Sequence, residues 1–413
     1  MKQQLFVICF FAMGFFVKAQ ETTVNLSMQS NYSDEVFYDF STNSSQSFPA
    51  QNWEIAFLRT GDFAMATRIN DGAGIEVYQA SDNPADWVTI DPSNLATWTQ
   101  LYNSDTTWTV GAFDNGTATY GWGEYNPMNH HVSGTVVFVL KYADGSFKKF
   151  MIEDFYGGYS FKYADWNAAT SSWEADENYV LSNATNPNYE FNYFNLNTDS
   201  EVIASPEMNS WDLVFKKYTT DVGAGAMYLV TGVLQNSTVT VAENIEPNGN
   251  GDTSNLAFSE EINTVGYDWK SFTGTEYTLE ADKYYYLKEN DGTVYRFHFT
   301  SYDGSTTGNI SFAYEDVTGQ MSTVVFDSEN SFSIFPNPSA DKRIQVLYET
   351  SITNGENGKI SVFSLTGKKV YETNLKNDGF YNQTIDLSRL SSGIYLVKIE
   401  IGKISQTKKL ILK

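Results

Sequence analysis

The sequence predicts an all-β protein, with two tandem β-domains followed by a C-terminal β-sandwich of the immunoglobulin type. Three observations lead there. Phe, Tyr and Trp make up 16% of the 413 residues, and aromatic and β-branched residues suit the pleated, half-buried surface of a strand. Gly-containing turns punctuate the chain at strand-length intervals. One pattern also occurs twice at a nearly constant separation.

The elements follow in order. Strand-like apolar and aromatic runs mark Val136-Val137-Phe138-Val139-Leu140, Tyr284-Tyr285-Tyr286-Leu287 and Val294-Tyr295-Arg296-Phe297-His298-Phe299 as strands. The last two flank Asn290-Asp291-Gly292, a hairpin turn because Asp-Gly accepts the positive φ that tight hairpins demand. Ala143-Asp144-Gly145 repeats the device. Helical periodicity is scarce, and residues 94–100 are the one stretch read as a short helix.

The repeated pattern opens with Phe37-Tyr38-Asp39-Phe40-Ser41-Thr42 and continues with Trp53-Glu54-Ile55-Ala56-Phe57. Its second occurrence is Tyr193-Phe194-Asn195-Leu196-Asn197-Thr198, then Trp211-Asp212-Leu213-Val214-Phe215, at offsets of 156 and 158 residues. Each occurrence closes alike, with Leu140-Lys141-Tyr142-Ala143-Asp144-Gly145 matching Leu287-Lys288-Glu289-Asn290-Asp291-Gly292. This assigns residues 20–174 and 175–330 to two repeats of ordinary domain size. Trp53 and Trp211 read as buried sheet residues.

The first 19 residues read as a secretory signal peptide. Met1-Lys2 gives a positive start, residues 5–17 an apolar run, and Val17-Lys18-Ala19 a cleavage site before Gln20. The single cysteine, Cys9, lies inside that segment, so the mature chain carries no disulfide. No other apolar run reaches membrane-spanning length.

Charge is shared unevenly. Residues 20–331 hold 12 basic and 43 acidic side chains, a balance of −31. Residues 332–413 hold 12 basic and 7 acidic, a balance of +5. A surface as acidic as the first repels nucleic acid and anionic membranes. The break in charge near residue 331 marks a domain boundary.

The basic tail, residues 331–413, carries Pro336-Asn337-Pro338, then Leu365-Thr366-Gly367-Lys368-Lys369, then Leu390-Ser391-Ser392-Gly393-Ile394-Tyr395, and ends in Lys408-Lys409-Leu410-Ile411-Leu412-Lys413. It resembles the type A C-terminal sorting domain of type IX secretion. The resemblance implies an immunoglobulin-like fold, recognition by that secretion machinery, and a destination at the cell surface or outside the cell.

The repeated unit resembles the HmuY-like family of exported haem-binding proteins. The likeness lies in the opening aromatic strand, the Trp-acid strand, Tyr228-Leu229-Val230-Thr231-Gly232-Val233-Leu234 as a middle strand, and the closing Asp-Gly pattern. It implies an all-β fold that holds haem between axial side chains, which are usually His, Met, Cys or Tyr. Histidines are only three. His130 and His131 sit with Met128 in the loop Tyr125-Asn126-Pro127-Met128-Asn129-His130-His131-Val132 of the first repeat, and these three are the candidate cofactor residues. His298 reads as a surface-facing strand residue.

Other chemistry finds less support. Two adjacent histidines do not make a zinc site. Glu246-Pro247-Asn248-Gly249-Asn250-Gly251-Asp252 lacks Ca²⁺-loop spacing and reads as a polar connector. No nucleophile elbow or phosphate loop occurs, so a non-enzymatic binding protein is expected. The alternative to haem is a carbohydrate- or protein-binding surface protein that uses Trp87, Trp98, Trp108, Trp122, Trp166 and Trp173 as ring platforms.

Overall fold

The computed structural model describes residues 21–59, 65–251, 253, 256–321, 332–350, 358–375, 379–401 and 404–413. The expected signal peptide and Cys9 lie outside the described residues. The chain forms two compact units that divide between residues 321 and 322. Both are built from antiparallel strands, and the larger also carries short 3-10 turns and a four-residue helix, Thr318–Met321. Residues 94–100 overlap a 3-10 turn, Pro92–Thr97, started by the Asp91 side chain accepting from the Ser93 amide. The Asp-Gly turns fall where expected, between Val137–Lys141 and Phe147–Phe155 and between Lys283–Lys288 and Val294–Tyr302.

The pairing in the larger unit is strongly non-local. Thr22–Ser27 pairs with Asn309–Asp316, almost 290 residues away in the chain. Asp34–Asp39 pairs with Leu213–Asp221, placing Tyr38 opposite Leu213 and Phe37 opposite Val214. In return, Phe191–Asn195 pairs with Ile55–Leu58, placing Phe194 opposite Ile55 and Tyr193 opposite Ala56. The two registers are the same once the offsets of 156 and 158 residues are applied.

Side chains lock each crossing in the same way. The Asp212 carboxylate accepts from the Phe40 amide at 2.7 Å. The Glu54 carboxylate accepts from the Leu196 amide at 2.8 Å. The Asn70 amide group donates to the carbonyls of Ala50 and Trp53, and that of Asn236 donates to those of Met208 and Trp211. Buried backbone groups left unpaired are costly, so these side chains satisfy carbonyls and amides that no sheet ladder reaches.

Two large cores result, and each draws strands from both sides of residue 175. One gathers Val24, Val36, Tyr38 and Phe40 with Leu213, Phe215, Tyr285, Phe297 and Phe312. The other gathers Ile55, Phe57, Phe138, Phe150 and Phe161 with Leu181, Phe194 and Leu196. Edge-to-face contacts dominate the packing, such as Tyr38 on Phe40 at 5.0 Å and Phe161 on Phe194 at 5.0 Å, each worth about 0.5–1.5 kcal/mol beyond area burial. Trp53 and Trp211 are both buried. They face a central cavity of about 30 Å³ with Trp108, Glu35, Lys216, Arg68 and Glu190. That is room for a water molecule and not for an organic ligand.

The smaller unit is a β-sandwich. Three strands, Phe332–Phe335, Arg343–Thr350 and Gly379–Asp386, form one sheet. The other runs Lys369–Asn374, Gly358–Ser364, Gly393–Ile401 and Ile404–Leu412. Ile344, Val346 and Ile385 of the first sheet meet Ile360, Val362, Val397 and Leu410 of the second. An unpaired strand edge invites association, and here the Pro-Asn-Pro segment covers the edge of the last strand. Asn337 donates its side-chain amide to the Lys409 carbonyl at 2.7 Å and accepts from the Ile411 amide at 2.9 Å.

Candidate functional site

The hairpin Gly123–Asn126 and His131–Gly134 builds one wall of a wide cleft in the 21–321 unit. It is anchored where Val132 pairs with Phe155 and Ser133 with Asp154. Anchoring needs a close backbone approach: a Cβ on Gly134 would lie 1.7 Å from the Ile152 carbonyl oxygen. A bulge between Ile152 and Asp154 then bends the Phe147–Phe155 strand and swings its end toward the cleft. Gly157, at φ 67°, turns the chain back at the rim.

The cleft encloses about 900 Å³, near the upper end of the roughly 300–1,000 Å³ of small-molecule sites. Tyr120, Tyr125, Tyr156, Phe155, Met65 and Val132 supply its apolar and aromatic lining, and Arg59, His130 and Asn183 supply the polar groups. Tyr156 is 66% exposed and Tyr125 43%. Rings at that exposure present a face to whatever occupies the cleft.

The three sequence candidates separate here. His130 is on the cleft wall, in a left-handed conformation at φ 63° that directs the turn of the hairpin. Its Nδ1 hydrogen-bonds the Tyr125 hydroxyl at 2.6 Å. No hydrogen bond to its Nε2 occurs among the described residues, so Nε2 is the nitrogen able to meet a ligand. With Nδ1–H donating to the Tyr125 oxygen, the Nε2 lone pair is open. His131 is not among the lining residues; its Nδ1 meets Asp154 at 2.7 Å and its ring stacks on Tyr156 at 4.5 Å. Met128 is 90% exposed at the hairpin tip and is not among the residues that line this cleft. His298 is half-buried, packed on Tyr284 at 4.7 Å, and burial pushes its pKa down.

Arg59 is the group that sequence reasoning missed. It precedes no motif, and nothing local marks it. Its guanidinium donates to the carbonyls of Asn183, Pro187 and Tyr189 at 3.2, 2.8 and 3.0 Å and forms no ion pair among the described residues. Neutral carbonyls orient the guanidinium without cancelling its charge. Beside it, the buried side-chain oxygen of Asn183 has no hydrogen-bond partner among the described residues.

The tryptophans behave otherwise. Trp87 and Trp122 are buried, and Trp98, Trp108, Trp166 and Trp173 are half-buried. Trp87 and Trp173 pack around the Lys149 ammonium at 4.2 and 5.3 Å, and Trp108 donates its indole N–H to the Gln235 carbonyl. Nor is the segment from Glu246 a loose connector at its start. Glu246 is buried and pairs with Arg296 at 2.6 Å, while Arg296 also holds Glu315 at 2.8 Å.

Residues 333–413 match the family of secretion system C-terminal sorting domains. That domain marks proteins exported by type IX secretion to the cell surface or the extracellular space, and its partner is the secretion machinery. No curated protein matches the chain. Among the described residues no helix is long and apolar enough to cross a membrane.

Proposed function

We propose that the cargo of this type IX sorting domain is an exported binding module that takes a planar, largely apolar ring system of the haem class in the tyrosine-lined cleft. The observation that carries the reading is His130, held by Tyr125 through Nδ1 and with no hydrogen bond to Nε2 among the described residues, on the wall of a cleft of about 900 Å³. Haem iron needs such an imidazole donor and an apolar cleft, and the residues present fit both needs. Tyr120, Tyr125 and Tyr156 would stack on or edge the ring, and Arg59 would meet an anionic substituent. The protein's part is to bind, orient and exclude water; the redox chemistry is the iron's.

The larger unit is read in the same proposal as two HmuY-like copies that exchange their opening strands. The matched registers and the matched Asp212–Phe40 and Glu54–Leu196 bonds support this. Only the first copy carries the adjacent histidines, so one site per chain is expected.

Haemin titration of the purified mature protein tests the reading. A Soret shift that saturates at one equivalent, and weakens at least tenfold in His130→Ala but not in Met128→Ala, is the expected result. A titration with no spectral change overturns it.

A further inference from the structure

We propose that the outer face of the four-stranded sheet in the sorting domain is the surface grasped by the export machinery. The partner surface it fits is apolar at its centre and acidic around it. The inference is independent of what the cargo binds.

Strand alternation sends Tyr395, Val397 and Ile399 into the sandwich core with Leu410 and Leu412. The residues between them must face out, and a solvated face should be polar. This one is not. Ile394 is 40% exposed and Leu396 37%, and Leu365, in the turn after Gly358–Ser364, is 67% exposed. Register joins these residues: Phe363 lies opposite Leu396 and Ile394 opposite Ile411. An apolar row therefore crosses three adjacent strands, and such contiguous exposed rows mark interaction sites.

Cations border the row. Lys409 is paired in register with Leu396, and Lys369 with Phe363. Lys369 is held by Glu372, whereas Lys368 and Lys409 form no ion pair among the described residues. Parts of three separate sequence motifs thus converge here: the Leu365–Lys369 turn, Ile394 of the Gly393-Ile394-Tyr395 run, and Lys409, whereas Lys408 pairs with the inward-facing Val397 and lies over the Phe332 ring at 5.5 Å. The Pro-Asn-Pro segment lies elsewhere, covering the strand edge through Asn337. The edge of the last strand is thereby occupied, while the outer face beside it is not covered by that segment. The balance of +5 over residues 332–413 favours an acidic partner, because complementary charge raises encounter rates and rejects wrong partners.

The test uses the full chain expressed in a bacterium with a type IX system, reading the amounts in periplasm and at the cell surface or in the medium. Ile394→Asp with Leu396→Asp is expected to lower export at least tenfold, with accumulation in the periplasm. Lys368→Glu with Lys409→Glu is expected to lower it about threefold. Asn382→Asp with Thr384→Asp, on the other sheet, is the matched control and should leave export unchanged. Thermal unfolding of each purified chain accompanies the assay. Wild-type export of a stably folded face variant overturns the proposal, as does equal loss in the control. Two further results would also overturn it. One is a homodimer in sedimentation that Leu396→Asp dissolves. The other is zero-length cross-linking of Lys368 or Lys409 to carboxylates of residues 21–321, because in either case the face is already covered.

Discussion

The Asp212 carboxylate accepts a hydrogen bond from the Phe40 amide at 2.7 Å, across 172 residues of sequence. Its counterpart, Glu54 on the Leu196 amide at 2.8 Å, spans 142 residues. Each acid sits one residue after a buried tryptophan and secures the end of a strand contributed from the other half of the chain.

Truncating either acid should destabilise the whole 21–321 unit. A buried donor left without its acceptor costs about 1–3 kcal/mol, so Asp212→Ala and Glu54→Ala should each lower stability by about that much in urea unfolding. The readout that distinguishes a shared lock from a local one is cooperativity. Fluorescence and circular dichroism should report one coincident transition in both variants, and separate transitions would contradict the exchanged arrangement.

The same acid makes stability pH-dependent. Burial, reinforced by the charges of Glu289 and Asp39, pushes the Asp212 carboxyl up to about 7, although the Phe40 amide pulls it down. Its ordinary value is 3.8. Between those values the folded protein holds a proton that the unfolded chain has released, so stability falls as pH rises through that window. Asp114, buried between the Thr67 and Gly111 amides and also raised to about 7, adds a second contribution of the same sign. Asp212→Asn keeps an acceptor for Phe40 and removes the titration. The loss of melting temperature on going from about pH 4.5 to about pH 7.5 should shrink by a few degrees, given roughly 2–4 °C per kcal/mol in a unit of this size.

Gly134→Ala should break the hairpin anchor. A Cβ there meets the Ile152 carbonyl oxygen at 1.7 Å, a contact the backbone can relieve only by moving the His131–Gly134 strand away. Hydrogen exchange should rise for Val132 and Phe155, and haemin affinity should fall at least as far as in His130→Ala. Unchanged exchange at these amides would show that the hairpin is not held by this approach.

Arg59→Gln should discriminate among ligands. Removal of the guanidinium should weaken haemin several-fold and leave its dimethyl ester unaffected, because only the free carboxylates gain from the charge. Equal weakening of both would assign Arg59 to holding the Asn183–Tyr189 carbonyls alone.

Glu246→Ala should be more costly than a surface ion-pair loss. Arg296 is 4% exposed and its guanidinium is held by both Glu246 and Glu315. Breaking a buried pair costs about 3–5 kcal/mol, because it strands the remaining charge, and the surviving Glu315 should keep the loss near the lower figure. Replacing Glu315, whose side chain is 14% exposed, should cost less in the same chemical denaturation series.

Local chemistry makes much of this protein legible in its sequence. Alternation, aromatic content and Asp-Gly turns determined that it is all-β and where its hairpins fold, because those signals act between neighbouring residues. The sorting domain was legible for the same reason, as its motifs lie within one short segment. Tertiary structure alone decided which strands pair. Tyr38 is equally suited to a partner nearby or to Leu213, 175 residues on, and a half-buried strand's side-chain pattern does not name its neighbour. The same holds for the cleft: His130 stood out as a rare donor, but Arg59 joined it only because folding brings distant loops together. His131 and Met128, within two residues of His130, are placed elsewhere: His131 by its Nδ1 contact with Asp154 and Met128 by the hairpin tip, and no spacing rule encodes either.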